Sequence, residues 1–250
     1  MPHAIIAGTG IYDIPTLNLK PEMVSTPYGD ANLFIGQGND SDMIFLTRHG
    51  AKHSVPPHKI NYRANIKALQ LLGVKRVIAN YAVGGIAPHI KPLDLTTISD
   101  VIDFTTGRAH TFIEGGENGV GHVEMSQPYC PIMSDQLAQR ASDFGLTMHT
   151  DAVYAATNGP RFETPAEIRM MRIVGATVVG MTGMPEVALA REAGMCFAGV
   201  ALSINWAAGI QSKIEITYDG LPALRANLLK LCITVLRNTT DAECIPARMI

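Results

Sequence analysis

Short apolar stretches alternate with longer amphipathic stretches along most of the chain. The short ones are rich in β-branched residues and several end in Gly, Asn or Thr, which is typical of buried strands. They predict strands at Ala4–Ala7, Met43–Leu46, Arg76–Asn80, Leu95–Ser99, Ala152–Thr157, Thr177–Met181 and Cys196–Ile204. Apolar positions three to four residues apart predict helices at Asn61–Leu72, Ser134–Phe144, Pro165–Ile173, Pro185–Ala193 and Leu221–Arg237. The alternation predicts an α/β fold, a single layered domain over residues 1–250 with a central mixed β-sheet flanked by helices.

Composition narrows the classes of function. With 250 residues, 47% of them hydrophobic, the chain can bury one sizeable core. The net charge of −2 gives no basic surplus for a phosphate backbone, so we expect no nucleic acid partner. No stretch is long and apolar enough to span a membrane, and the four cysteines are too dispersed for a zinc site. We therefore expect a cytoplasmic protein without a membrane partner or a metal site.

Three predicted strand ends carry groups that suit an anion. The first strand runs into Gly8-Thr9-Gly10, where backbone N–H groups and a hydroxyl are exposed. Arg48 and His49 follow the second strand, and Ala82 lies in a Gly-rich turn after the third. A guanidinium binds an oxyanion through paired hydrogen bonds. Taken alone, each motif also fits a surface Arg, a loop His or an ordinary turn.

Two later strand ends carry groups that suit a flat heterocycle. Phe162 can stack on a ring, and the Glu163 carboxylate can accept hydrogen bonds from ring N–H groups. Asn205 ends the last predicted strand and offers both a donor and an acceptor. A core aromatic, a helix-start Glu and a turn Asn remain the alternative interpretations of these residues.

The whole chain, from about Ile5 to Arg237, resembles the trimeric purine nucleoside phosphorylase superfamily and within it the methylthioadenosine phosphorylase branch. The resemblance rests on ordered motifs. They are Gly8-Thr9-Gly10, Arg48-His49-Gly50, the run P-H-K-I-N-Y-R-A-N from Pro57 to Asn65, Gly159-Pro160-Arg161-Phe162, and Met181-Thr182 followed by Pro185-Glu186.

The resemblance implies a role for several residues. Phosphate would be bound by Thr9, Arg48, His49, Ala82 and Thr182. Met181 would lie against the ribose, and His122 would reach the 5'-substituent pocket of a neighbouring subunit in a homotrimer. Tyr81 stands where the family commonly has Thr, which makes a hydroxyl contribution from that position uncertain.

Two positions depart from the 6-aminopurine branch. That branch has Asp in place of Asn205, and a small hydroxyl residue in place of Glu163. An ionised Asp accepts hydrogen bonds from an amino group but repels a 6-oxo oxygen, whereas Asn can donate to that oxygen and still accept from a protonated N7. Glu163 can accept the N1–H that hypoxanthine has and adenine lacks. Both residues favour a 6-oxopurine.

The 5' end indicates a different kind of substrate. Phosphorylases of ordinary 6-oxopurine nucleosides use a His to bind the 5'-hydroxyl, and this chain has no His after His149. Tyr218 and Leu221 would instead form a mostly apolar wall suited to a methylthio group.

These features together predict phosphorolysis of S-methyl-5'-thioinosine to hypoxanthine and 5-methylthioribose 1-phosphate, with inorganic phosphate as co-substrate and no cofactor. Asn205, Arg48 and His49 would be the catalytic residues. Three alternatives stay open. They are a methylthioadenosine phosphorylase that releases adenine, a 6-oxopurine nucleoside phosphorylase that acts on inosine or guanosine, and a non-catalytic NAD-binding module built on Gly8-Thr9-Gly10, although Asp13 replaces the third glycine of that fingerprint.

Overall fold

The computed structural model describes residues 2–8, 17–50, 54–116, 119–240 and 249–250. Within these ranges nine strands form one sheet. The strands are β1 (His3–Ala7), β2 (Leu19–Thr26), β3 (Gly29–Gly36), β4 (Met43–Thr47), β5 (Arg76–Gly85), β6 (Leu95–Asp103), β7 (Met148–Ala156), β8 (Val178–Gly180) and β9 (Cys196–Trp206). The α-helices are α1 (Tyr62–Leu71), α2 (Pro131–Arg140), α3 (Pro165–Ile173), α4 (Glu186–Glu192) and α5 (Leu221–Asn238).

The sheet is mixed, and part of it closes on itself. Its order is β2-β3-β4-β1-β5-β8-β7-β6-β9, and β9 also pairs with β5. Strand β1 is parallel to β4 and β5, and β5 is parallel to β9, so these four strands end at the same edge. Strand β8 runs antiparallel to β5. The expected α/β domain with a central mixed sheet and flanking helices is confirmed.

Helices cover the sheet on both faces. One buried cluster joins strand residues such as Ile6 and Phe197 to Ile66 of α1 and Leu189 of α4. A second cluster packs α2 and α5 against other strand residues. Burial of both strand faces explains why β1 is apolar from Ala4 to Ala7 and does not alternate between apolar and polar residues.

The hairpin of β2 and β3 was not predicted from the sequence. Most of β2 is exposed and it carries Lys20, Pro21 and Glu22, which are unusual in a buried strand. It forms the edge of the sheet, where a proline and charged residues are tolerated. The predicted strands are present, although β5 extends about five residues and β9 about two residues beyond their predicted ends.

Helix boundaries differ from the predictions where local signals compete. The predicted Ser134–Phe144 helix begins at Pro131, where a proline fits the first turn, and its last residues form a 3-10 turn at Ala141–Phe144. Helix α3 begins as predicted at Pro165. Its start is fixed by a capping box in which Thr164 and Glu167 exchange hydrogen bonds between side chains and backbone N–H groups.

Replacing Thr164 with Ala should lower the free energy of unfolding by about 1 kcal/mol, because the Glu167 N–H loses its acceptor at the start of α3. Urea denaturation followed by circular dichroism measures the change. Thr164→Ser keeps the hydroxyl and should stay close to wild type. An equal loss in both variants would contradict the capping role.

Candidate functional site

A cavity of about 480 Å³ opens at the strand edge shared by β1, β4, β5 and β9. Gly8 follows β1, Arg48 and His49 follow β4, and Asn205 lies near the end of β9. Ligands of open α/β sheets commonly bind at the carboxyl ends of such strands. The lining residues are Gly8, Arg48, His49, Ser54, Val55, Pro56, Pro57, Ala82, Val83, Gly84, Pro160, Phe162, Glu163, Val179, Gly180, Met181, Thr182, Ile204, Asn205, Ala207 and Ala208.

One part of the lining carries the cationic side chain of Arg48, which forms an ion pair with a buried carboxylate. Arg48 is buried and donates from Nε and Nη2 to the Glu186 carboxylate over 2.7 and 2.8 Å. Burial lowers the pKa of Arg48, but attraction and hydrogen bonding by Glu186 outweigh it and hold the pKa above its ordinary value. The His49 Nδ1 lies 2.8 Å from the Val55 carbonyl oxygen. Because that oxygen only accepts, Nδ1 carries a proton.

Thr182, which lines the same cavity as Arg48, is held in place by a buried tyrosine. The Tyr154 hydroxyl accepts hydrogen bonds from the backbone N–H groups of Thr182 and Gly183, over 3.2 and 3.3 Å. A side chain at Gly180 or Gly183 would collide with the Tyr154 ring. The close approach of this turn to Tyr154 therefore depends on glycine at both positions.

Arg108 ties the turn that carries Met181 to the loop after β7. Its guanidinium donates to the carbonyl oxygens of Met181 and Asn158 over 2.8 and 3.0 Å, and also to that of Met184. Nothing in the sequence marked Arg108 for this role, because its four acceptors are backbone carbonyls distant in the chain.

The opposite part of the cavity carries hydrogen-bonding groups for a flat ligand. Glu163 is buried, and its Oε1 accepts a 2.6 Å hydrogen bond from the Thr157 hydroxyl. Its Oε2 has no hydrogen bond among the described residues. Phe162 is 47% exposed and also lines the cavity, so its ring is accessible to a ligand.

Asn205 stands at a β-bulge. The register between β5 and β9 shifts after Val83, so that Gly84 lies opposite Asn205. A Cβ on Gly84 would lie 3.2 Å from the Asn205 Nδ2, and glycine leaves that space open. The Nδ2 donates to the Trp206 carbonyl oxygen over 2.8 Å, while Oδ1 makes no hydrogen bond within the described ranges.

The cavity brings together eight of the twelve site residues proposed from the sequence, and three others lie elsewhere. His122 is exposed and pairs its backbone with Ile250 instead of lining the cavity of its own chain. Tyr218 is 71% exposed, and Leu221, the first residue of α5, is buried in the core. Neither residue is among the described lining of the cavity, and the apolar wall at the 5' end stays a prediction. Thr9 lies outside the described residues.

Several contributors were missed or left without a role by the sequence analysis. Ile204, Val179 and the turn from Ser54 to Pro57 supply apolar surface. Glu186 belonged to a motif but had no assigned partner. The run from Pro57 to Asn65 could have signalled the Ser54–Pro57 turn, because the two segments are adjacent in the chain.

The profile of the family described as "Phosphorylase superfamily" matches residues 2–237. The chain belongs to this family. The resemblance to purine nucleoside phosphorylases is confirmed, and so is the expectation of an enzyme that transfers a pentosyl group.

Three relatives illustrate the range of the family. A probable 6-oxopurine nucleoside phosphorylase of Moorella thermoacetica is 51% identical, over 85% of this chain and 82% of that protein. A probable S-methyl-5'-thioinosine phosphorylase of Methanopyrus kandleri is 42% identical, over 97% and 96%. The structure of a methylthioadenosine phosphorylase from an antarctic soil metagenomic library superposes with a TM-score of 0.86 at 33% identity, over 96% and 88%.

Among the described residues, no cluster of three or more His, Cys, Asp or Glu side chains is arranged to hold a metal ion. Over the same ranges, no helix combines the length and the apolar character needed to cross a membrane.

Tyr154→Phe should destabilise the fold by about 1–3 kcal/mol, because the buried N–H groups of Thr182 and Gly183 lose their acceptor. Tyr129→Phe is the matched control, since the buried Tyr129 hydroxyl has no hydrogen bond in the described parts of the chain. Urea unfolding of both variants gives the two free energies. A similar change in each would mean that the Tyr154 hydroxyl does not hold the turn.

Proposed function

We propose that this protein cleaves S-methyl-5'-thioinosine with inorganic phosphate, giving hypoxanthine and 5-methylthioribose 1-phosphate. The observation that carries the choice of base is the pair of acceptors in the cavity, Glu163 Oε2 and Asn205 Oδ1. The first suits the N1–H of hypoxanthine, and the second suits a protonated N7. Asn205 also keeps a second N–H on Nδ2 that can donate to the 6-oxo oxygen.

In the proposed reaction, phosphate lies beneath C1' of the ribose, bound by Arg48, His49, Ala82, Thr182 and Thr9. A phosphate oxygen bonds to C1' as the bond from C1' to the purine breaks, and the negative phosphate stabilises the positive charge that develops on the sugar. The proton lost by phosphate balances the proton gained by the base. Neither a metal nor an organic cofactor takes part.

Asn205 would stabilise the leaving base when N7 becomes protonated. Phe162 would stack on the base and Glu163 would fix its edge, while Met181 lies against the ribose. These contacts hold phosphate and nucleoside in line, so that little freedom is lost at the transition state. The environment of Glu163 supports this arrangement, because the Thr157 hydroxyl restrains one carboxylate oxygen and leaves the other to the ligand.

We also propose that the active unit is a homotrimer. His122 is exposed and lies outside the cavity of its own chain, which suits a residue that completes a neighbouring site. Tyr218, also exposed, is available for the same kind of contact.

A 6-oxopurine nucleoside phosphorylase acting on inosine or guanosine is the second candidate. It is favoured by the position of Leu221, which packs in the core and therefore does not supply the apolar 5' wall. The absence of any His after His149 favours the methylthio substrate instead, because the chain then lacks the usual partner of a 5'-hydroxyl. Methylthioadenosine is disfavoured by the hydrogen-bonding groups of Glu163 and Asn205.

Base release from S-methyl-5'-thioinosine, S-methyl-5'-thioadenosine and inosine, measured side by side by chromatography, tests the substrate. The methylthioinosine reaction should have the highest kcat/KM and should stop when phosphate is omitted. Preference for inosine would support the proposed recognition of the base and reject the proposed recognition of the 5'-methylthio group. Preference for methylthioadenosine would reject the proposed base recognition, and release without phosphate would reject phosphorolysis.

Asn205→Asp should move the preference towards the 6-amino substrate by about tenfold or more, because a carboxylate repels the 6-oxo oxygen and accepts from an amino group. The ratio of kcat/KM for methylthioadenosine to that for methylthioinosine is the quantity to compare. Asn32→Asp adds the same charge on the exposed side of β3 and should leave the ratio unchanged. An unaltered ratio in Asn205→Asp would remove Asn205 from base recognition.

A further inference from the structure

Behind the Arg48 side of the cavity, three buried side chains form what we call the arginine cluster: Arg48, Glu186 and Tyr81. The Arg48 Nη2 and the Tyr81 hydroxyl both lie 2.8 Å from Glu186 Oε1, and both donate to it. The Arg48 Nε donates to Oε2 over 2.7 Å. The Arg48 Cζ also lies 4.8 Å from the centroid of the Tyr81 ring, where the π-system attracts a cation.

The cluster is almost sealed from solvent, with both side chains of the ion pair only 1% exposed. Burial raises the pKa of Tyr81 well above its ordinary value, so its hydroxyl stays protonated and remains a donor. Glu186 therefore receives three hydrogen bonds from two neighbours, and the charges of Arg48 and Glu186 cancel. The guanidinium that faces the cavity is not an uncompensated cation.

A count of donors shows what remains for a ligand. A guanidinium has five N–H groups. Glu186 accepts two, and the Asn80 carbonyl oxygen lies 3.2 Å from Nη1 and accepts a third. A Cβ added to Gly8 would lie 3.3 Å from Nη1, so glycine leaves this end of the guanidinium uncrowded at the cavity wall. One N–H group on Nη1 and one on Nη2 remain, and these can donate to an anion in the cavity.

Tyr81 is the uncharged member of the arginine cluster, and it donates to the same carboxylate as Arg48. Its hydroxyl turns away from the cavity, towards Glu186. The hydrogen bond that Glu186 Oε1 accepts from the Tyr81 hydroxyl withdraws negative charge from this oxygen, which also accepts from Arg48 Nη2. The tyrosine therefore weakens the hold of the carboxylate on the guanidinium.

We propose that Glu186 and Tyr81 are positioning residues that set the affinity for phosphate by fixing Arg48 and balancing its charge. This inference rests on the proposed phosphate site at Arg48. Glu186 competes with phosphate for the guanidinium, and the Tyr81 hydroxyl moderates that competition. The two residues therefore act on phosphate affinity in opposite directions.

Tyr81→Phe keeps the ring and removes the hydrogen bond to Glu186. The KM for phosphate should rise about threefold to tenfold, because the carboxylate then carries more negative charge and holds Arg48 more tightly. The kcat and the KM for the nucleoside should stay within about twofold, since neither group contacts the proposed nucleoside site. Tyr129→Phe, which removes a buried hydroxyl without a partner among the described residues, is the control.

Glu186→Gln keeps the shape of the side chain and removes its charge. The KM for phosphate should fall about tenfold, because phosphate becomes the main counter-ion of Arg48. Without phosphate this variant should melt earlier than wild type, and added phosphate should raise its Tm by more than it raises that of wild type. Glu192→Gln removes a carboxylate charge from the same helix, and it should change neither the KM for phosphate nor the rise in Tm that phosphate causes.

The KM for phosphate should rise in Tyr81→Phe and fall in Glu186→Gln, and these opposite changes distinguish the proposed role from structural damage. A rise in the KM for phosphate in both variants, or an equal effect of Tyr81→Phe and Tyr129→Phe, would overturn the proposal. If Glu186→Gln does not fold, Tyr81→Phe decides alone. If the wild type released base without phosphate, the proposed function would be refuted. If the wild type required phosphate but both variants kept its KM for phosphate, only this inference would be refuted.

Discussion

The buried ion pair between Arg48 and Glu186 is the interaction on which the arrangement of the cavity depends. It joins the end of β4 to the start of α4, across 138 residues of sequence. Breaking a buried pair by removing one partner typically costs about 3–5 kcal/mol, because the remaining charge stays unsolvated. The pair thus fixes a cation at the cavity wall while leaving the wall nearly neutral until an anion arrives.

The rest of the site is held by groups that do not face the cavity. Tyr154 accepts from the turn at Thr182, Arg108 binds the carbonyl oxygens of neighbouring turns, and Thr157 restrains Glu163. The contacts of Tyr154 and Arg108 join different segments of the chain, and the contact of Thr157 with Glu163 closes the loop between β7 and α3 on itself. Preorganisation of this kind matters in a phosphorylase because its proposed mechanism relies on position and charge and not on a covalent enzyme intermediate.

Much of the fold and part of the site could be predicted because both follow from local patterns. Strands such as β1 and β4 are continuous apolar runs, and the polar residues that follow them, including Arg48 and His49, necessarily lie at a sheet edge. The hairpin of β2 and β3 escaped prediction because an exposed edge strand has no buried face to impose a pattern.

The contacts made by the site residues could not be read from the sequence for a different reason. The roles of Glu186 and Arg108 depend on which distant segments the sheet brings together, and no local pattern identifies the hydrogen-bond partners of either residue. Leu221 illustrates a second limit of the sequence. An apolar residue near a ligand-binding segment suits a cavity wall and a core equally well, and the first turn of α5 directs this one into the core.

In the proposed base site, selectivity rests on hydrogen-bond direction more than on shape. Hypoxanthine and adenine are nearly the same size, but one presents N1–H and a 6-oxo oxygen where the other presents an unprotonated N1 and an amino group. A site that buries an acceptor opposite N1 leaves it unpaired when adenine binds, and an unpaired buried polar group discriminates far more strongly than a methylene group does. Glu163 is buried, is restrained by Thr157 and lines the cavity, so in the proposed site the penalty for the wrong base would fall on a group that cannot readily turn back to solvent.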